Sequence, residues 1–149
     1  MHLPRFEYAR PESWEEAATH LEKRGAGACP VSGGTDLLPR MKYGLARPEV
    51  LVSLRGIAPA APRVGPEGDL LLDSQTPLAS VARSPEVRAR APILAEAALS
   101  VASNQVRHMA TLGGNLCLES RCLYYNQSHT FQFVEPCLKR GGGICYFAP

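Results

Sequence analysis

Two glycine pairs carry the residues best suited to chemistry. Ala110-Thr111-Leu112-Gly113-Gly114-Asn115-Leu116-Cys117 offers a hydroxyl, two bare peptides and an amide within one turn. Ser32-Gly33-Gly34-Thr35-Asp36 follows a short apolar stretch and leads into a helix-like one. A strand, a Gly-Gly turn and a Thr/Asp helix start present free backbone N–H groups beside a positive dipole end, which suits a pyrophosphate. Glycine serves there because a Cβ would hold the phosphate off the backbone. Each pair by itself also reads as a tight structural turn, and for a lone Gly-Gly that is the commoner case. Together they imply two loops closing on one phosphate-bearing ligand. Neither fits G-x-G-x-x-G or the P-loop, since no Gly-Lys-Ser/Thr follows.

The cysteines are the next candidates. Cys122, Cys137 and Cys145 are separated by fourteen and seven residues, with no C-x-x-C among them, so a zinc ribbon is poorly matched. Cys117-x4-Cys122 opens a plant-type ferredoxin spacing without its C-x-x-C. Spacing leaves a cluster or buried thiols, and favours the thiols. Cys29 sits in a strand-like stretch and is expected in the core. His2 and His20 read as surface residues. His108 precedes the second glycine turn and could approach a cofactor, and His129 in the cysteine-rich segment could replace a thiolate; for each, a plain histidine is the simpler reading. No Ser/His/Asp or paired-carboxylate arrangement stands out.

These residues need elements to position them. Phe6-Glu7-Tyr8 predicts a strand. Ser13-x-x-Glu16 is a capping box, followed by a helix whose buried face would be Trp14, Ala17, Ala18 and Leu21, ended by Gly25 or Gly27. Ala28 to Ser32 predicts a buried strand, Leu37 to Tyr43 a helix capped by Thr35 or Asp36 and ended by Gly44, and Val50 to Leu54 a third strand. Strand, helix, strand, helix, strand favours a small parallel sheet. The Pro/Ala/Gly-rich stretch from Gly56 to Gly68 marks a seam. Leu70 to Asp73 predicts a strand, and Pro77 to Ala82 a short helix begun by Thr76. Pro92 to Val101 predicts a longer helix with Ile93, Leu94, Ala97 and Ala98 on its apolar side. From Glu119 the texture changes. Tyr124, Tyr125, Phe131, Phe133, Tyr146 and Phe147 crowd among cysteines with no clear period, and the segment reads as one needing a staple such as a metal centre.

The bulk composition narrows the classes. Hydrophobic content of 45% over 149 residues supports one domain or two small subdomains. A net charge of +2 without a basic block argues against nucleic acid. No run approaches a membrane span and no signal peptide is evident, so a cytoplasmic chain with reduced or metal-bound cysteines is the expectation.

Val31-Ser32-Gly33-Gly34-Thr35-Asp36-Leu37-Leu38-Pro39 and Asn104-Gln105-Val106-Arg107-His108-Met109-Ala110-Thr111-Leu112-Gly113-Gly114-Asn115-Leu116-Cys117 resemble the two flavin motifs of the xanthine dehydrogenase family. The likeness is to its separate FAD-binding medium subunit in molybdenum hydroxylases. The resemblance implies an α+β, vanillyl-alcohol oxidase-type FAD-binding fold. Residues 1–55 would be a βαβαβ N-terminal subdomain, 56–118 the start of a second α+β subdomain, and 119–149 an iron–sulfur insertion. By motif match Ser32, Gly33, Gly34, Thr35 and Asp36 would hold the pyrophosphate region. Thr111, Gly113, Gly114 and Asn115 would bind the other side of FAD, with Asn104 and Arg107 as further carry-overs. His108 stands where relatives often have asparagine.

Within that family, Arg121-Cys122-Leu123-Tyr124-Tyr125-Asn126-Gln127-Ser128, Cys137-Leu138-Lys139 and Gly143-Ile144-Cys145 resemble the insertion of the 4-hydroxybenzoyl-CoA reductase type, which carries a [4Fe–4S] cluster. The likeness implies Cys122, Cys137 and Cys145 as three ligands, with a fourth beyond Pro149. It implies an oxidoreductase subunit of aromatic compound degradation in a hetero-oligomer. FAD and the cluster would relay electrons between a ferredoxin-like donor, a [2Fe–2S] small subunit and a molybdenum-binding large subunit. An ending at Pro149 resembles truncation, so the isolated chain is expected to be inactive, with weak FAD binding and an incomplete cluster. The competing readings are a flavin subunit of the xanthine or CO dehydrogenase type with structural cysteines, a non-catalytic interaction module, and a zinc-stapled binding domain.

Overall fold

The computed structural model describes residues 2–127 and 132–148. His129 and Phe131, singled out above, lie outside the described residues. In chain order the elements are β1 (Glu7–Ala9), α1 (Trp14–Arg24), β2 (Ala28–Val31), α2 (Leu37–Lys42), β3 (Val50–Ser53), β4 (Arg63–Val64), β5 (Leu70–Leu71), α3 (Leu78–Arg83), α4 (Pro85–Arg90), α5 (Pro92–Ser100), α6 (Asn104–Met109) and α7 (Leu112–Leu116). They divide into two compact units. The first is Phe6–Thr35 with Pro48–Cys117, and the second is Asp36–Arg47 with the described residues of 1–5 and 118–149.

The first unit holds the expected parallel sheet, in the order β1-β3-β2. β3 is central because Val50-Leu51-Val52-Ser53 is buried along its whole length, the signature of a strand covered on both faces. β1 and β2 are edges, and Pro30 in β2 is tolerated there. Ala17, Val50 and Val52 form the sheet's core, with Leu21, Ala28, Leu54 and Ile57 packed around them.

The α1 cap forms only half of the expected box. Ser13 Oγ accepts from the Glu16 N–H at 3.1 Å, but the Glu16 carboxylate accepts from the N–H of Glu12, at 2.9 Å. Two expected core residues of α1 are outside: Trp14 is 44% exposed and Ala18 faces solvent. The sheet offers a footprint only wide enough for Ala17 and Leu21.

A second core in the same unit gathers Leu78, Val81, Ala82, Val87, Ala95, Ala98 and Ala110. Two of its helices carry caps that the sequence reading passed over. Ser84 Oγ accepts from the Val87 N–H at 3.3 Å with Pro85 at the first helical position of α4, a favoured N-terminal pair. Ser103 Oγ does the same for Val106 in α6. In α5 the buried positions are Ala95 and Ala98, while Ile93 and Ala97 face water. β4, inside the stretch read as a seam, pairs with β5, just beyond it, in a short antiparallel ribbon.

The second unit contains α2 and, among its described residues, one 3-10 turn, Leu138–Arg140. Its staple is a side chain. Buried Gln127 accepts through Oε1 from the N–H groups of Phe133 (2.7 Å) and Val134 (3.0 Å). Its Nε2 donates to Tyr124 O at 3.0 Å, and its own carbonyl accepts from Arg140 at 2.9 Å. Gln127→Leu is therefore expected to loosen the segment by about 1–3 kcal/mol, the range for orphaned buried partners. Hydrogen exchange at Phe133 and Val134 should rise while the first unit's amides stay protected; unchanged exchange would refute the staple.

Glu119, Tyr125 and Lys139 form a polar cluster in this unit. Lys139 Nζ lies 3.2 Å from the Glu119 carboxylate, 2.8 Å from Ser120 Oγ and 4.9 Å above the Tyr125 ring. The Tyr125 phenol beside Glu119, together with Lys139, holds the carboxyl below its ordinary value of 4.5. Glu119 in turn pushes the Tyr125 phenol above its ordinary 10.0. Linkage gives the sign at each end. The carboxylate's contribution is present above 4.5 and lost as pH falls through the lowered folded value. The phenol's contribution is present below 10.0 and lost as pH rises through the raised one. Both shifts report one pair, so Tyr125→Phe should remove the phenol's alkaline limb and shrink the acid limb, to which Glu86 also contributes, in a pH series of denaturation midpoints; an acid limb of unchanged size in the variant would exclude this origin.

Candidate functional site

Within the first unit the structure brings the two glycine turns together. A Cβ on Gly33 would lie 1.8 Å from the Met109 carbonyl oxygen, so the Ser32-Gly33-Gly34-Thr35 turn packs backbone to backbone against the entry to the second turn. A short turn at Asp73–Thr76 binds both. Ser32 Oγ donates to Gln75 Oε1 at 2.6 Å. The Gly113 N–H donates to Ser74 O at 2.8 Å and the Leu112 N–H to Thr76 O at 2.9 Å. Gly113 permits this approach, since a Cβ there would lie 2.8 Å from Ser74 Cβ. Asp73 Oδ1 in turn accepts from the Gln75 N–H at 2.8 Å, an Asx turn. An aspartate two residues before Gln75 is the sequence signal for such a turn, at a position where the apolar run alone predicts a strand end.

The two glycine turns differ in their unused donors. At the first, Gly34 adopts a positive φ of 70°, which glycine tolerates. The N–H groups of Gly33, Gly34 and Thr35 meet no acceptor among the described residues. Such consecutive free donors fit phosphate oxygens. At the second turn the peptides expected to be bare are engaged. Gly113 binds Ser74, Gly114 donates to Thr111 Oγ1 at 3.2 Å, and Asn115 N–H donates to Thr111 O. Buried Thr111 is the N-cap of α7. What the second turn still offers is the half-buried Asn115 side chain.

The remaining candidates separate. Arg107 donates to the carbonyls of Val101 (2.8 Å) and Ala102 (3.0 Å), closing the chain after α5. Exposed His108 pairs its Nδ1 with Asn104 O at 2.7 Å. Asp36 belongs to the second unit, where its carboxylate lies 2.9 Å from Arg121. The expected iron site is not assembled. Among the described residues no group of three His, Cys, Asp or Glu side chains is arranged to hold a metal ion, and Cys122, Cys137 and Cys145 form no such group. Cys137 is buried, and Cys145 Sγ accepts from the Ala148 N–H at 3.4 Å. Gln127 and local backbone bonds link the described residues of this segment without the thiols. Half-buried Cys29 lies in β2.

A family profile described as the FAD binding domain in molybdopterin dehydrogenase matches residues 4–126. The chain belongs to that family. The carbon monoxide dehydrogenase medium chain of Hydrogenophaga pseudoflava is 40% identical over 114 residues, covering 76% of this chain and 39% of the relative. The aldehyde oxidoreductase FAD-binding subunit PaoB of Escherichia coli (strain K12) is 33% identical over 135 residues, covering 91% and 41%. A solved structure of the Hydrogenophaga pseudoflava carbon monoxide dehydrogenase, in a form lacking the Mo-pyranopterin moiety, superposes with a TM-score of 0.71 at 40% identity, over 78% of this chain and 40% of that one. The chain thus spans about two fifths of the length of the curated relatives it matches. Its α+β fold is the FAD-binding fold of these medium subunits. Among the described residues, no helix is long and apolar enough to cross a membrane.

Proposed function

We propose that this chain is the FAD-binding portion of the medium subunit of a molybdenum hydroxylase of the carbon monoxide dehydrogenase type. The observation that carries the reading is the Gly33-Gly34-Thr35 turn, with its unengaged donors, packed against the second glycine turn. Gly33, Gly34 and Thr35 would hold the pyrophosphate, and Asn115 would serve the other side of the cofactor. Bound FAD supplies electron transfer, while the protein binds and orients it. The partners of this reading are a molybdenum-binding large subunit and a [2Fe–2S] small subunit, which would exchange electrons with the flavin. The 40% identity to a carbon monoxide dehydrogenase medium chain supports this type over the 4-hydroxybenzoyl-CoA reductase type. The latter rests on the likeness of the segment around Cys122, Cys137 and Cys145, and these thiols do not fit a [4Fe–4S] cluster as arranged.

The test is an absorption spectrum of the chain purified without oxygen, with iron and sulfide quantified on the same sample. Flavin bands near ~450 nm that appear when FAD is added, without iron, are the expected result. A colourless chain that takes up no added FAD would overturn the reading, and stoichiometric iron and sulfide would restore the reductase type.

A further inference from the structure

One buried polar residue beside the first glycine turn lies outside the family's glycine motifs, and part of its side chain is left over from its contacts in the fold. Gln75 is 8% exposed. Its Oε1 accepts from Ser32 Oγ and its backbone N–H binds Asp73 Oδ1. Its Nε2, with two protons to donate, meets no acceptor among the described residues. The nearby Asp73 carboxylate is committed, Oδ1 to Gln75 N–H and Oδ2 to the Ala60 N–H at 3.2 Å. This donor is spare, and it is tethered through the same amide to the residue that opens the turn.

We propose that Gln75 is a cofactor-binding residue. Its Nε2 donates to an anionic oxygen of the dinucleotide's pyrophosphate, while its Oε1 fixes Ser32 at the start of the turn. The proposal rests on the reading that Gly33, Gly34 and Thr35 hold that pyrophosphate, and it adds a neutral side-chain donor to their backbone donors. A hydrogen bond to a charged acceptor is the strong kind, so its loss should be measurable.

The test uses the full chain and two probes, FAD followed by flavin fluorescence and ADP as competitor. Gln75→Glu keeps an acceptor for Ser32 Oγ and removes both Nε2 protons. It should weaken FAD and ADP by about tenfold or more with an unshifted denaturation midpoint. Gln75→Leu should weaken both at least as much, and Ser32→Ala less, because it leaves Nε2 in place. Wild-type affinities in Gln75→Glu overturn the assignment. So does a loss that only tracks a lowered midpoint, which would make Gln75 a residue of the fold alone. Gly34→Val separates the two levels. If it abolishes FAD binding while Gln75→Glu does not, only the role of Gln75 falls. If it leaves FAD binding intact, the pyrophosphate reading falls first.

Discussion

Gly33→Ala is expected to cost about 3 kcal/mol or more of stability, the upper end for overpacked sites, and to abolish FAD binding. The added Cβ would sit 1.8 Å from the Met109 carbonyl oxygen, 2.6 Å from its carbon and 3.2 Å from the Ala110 nitrogen. These are backbone atoms and cannot swing aside as a side-chain end can. Relief requires the two turns to part, which breaks the arrangement the cofactor needs. Gly143→Ala provides the contrast, since nothing lies within 4 Å of a Cβ built there, and it should stay within about 0.5 kcal/mol of the parent. Urea denaturation and an FAD titration on both variants check the pair. A Gly33→Ala chain indistinguishable from the parent would mean that the turns do not pack as described.

Leu78→Ala should produce the second large loss, about 2–5 kcal/mol for a leucine truncated in a packed core. Leu78 is 1% exposed and sits in α3 among Val81, Val87, Ala95, Ala98 and Ala110. Several neighbours are alanines, too small to fill the void, so collapse around it is limited. Its N–H also donates to Ala110 O at 2.9 Å, immediately before Thr111. Disorder at Leu78 should therefore reach the second glycine turn. The check is the denaturation midpoint together with hydrogen exchange at Leu112 and Gly113, whose N–H groups hold that turn to Ser74 and Thr76. A large stability loss with those two amides still fully protected would uncouple the core from the turn.

Much of this was legible in the residue order. Val50-Leu51-Val52 announced a strand, and the glycine turns followed the elements that had to bring them together. The hidden parts depended on partners distant in sequence. Gly113 and Gly114 look as bare as Gly33 and Gly34, and only the fold shows that Ser74 and Thr111 take their donors. Trp14 carried the hydrophobicity of a core residue, but helical spacing does not say how wide a face the sheet can cover. Cysteines invited a metal reading, whereas the ordering group is Gln127, a residue type with no positional signature. Ser84-Pro85 was a readable helix start, masked by the adjacent end of α3.

The three-stranded sheet has a bearing on how this chain meets other proteins. Its two outer strands span three and four residues, and one contains Pro30, which has no N–H to offer a visiting strand. A neighbour cannot readily extend such a sheet by β-augmentation. A protein that docks on this sheet would then do so through side chains fitted to side chains, with little contribution from main-chain pairing.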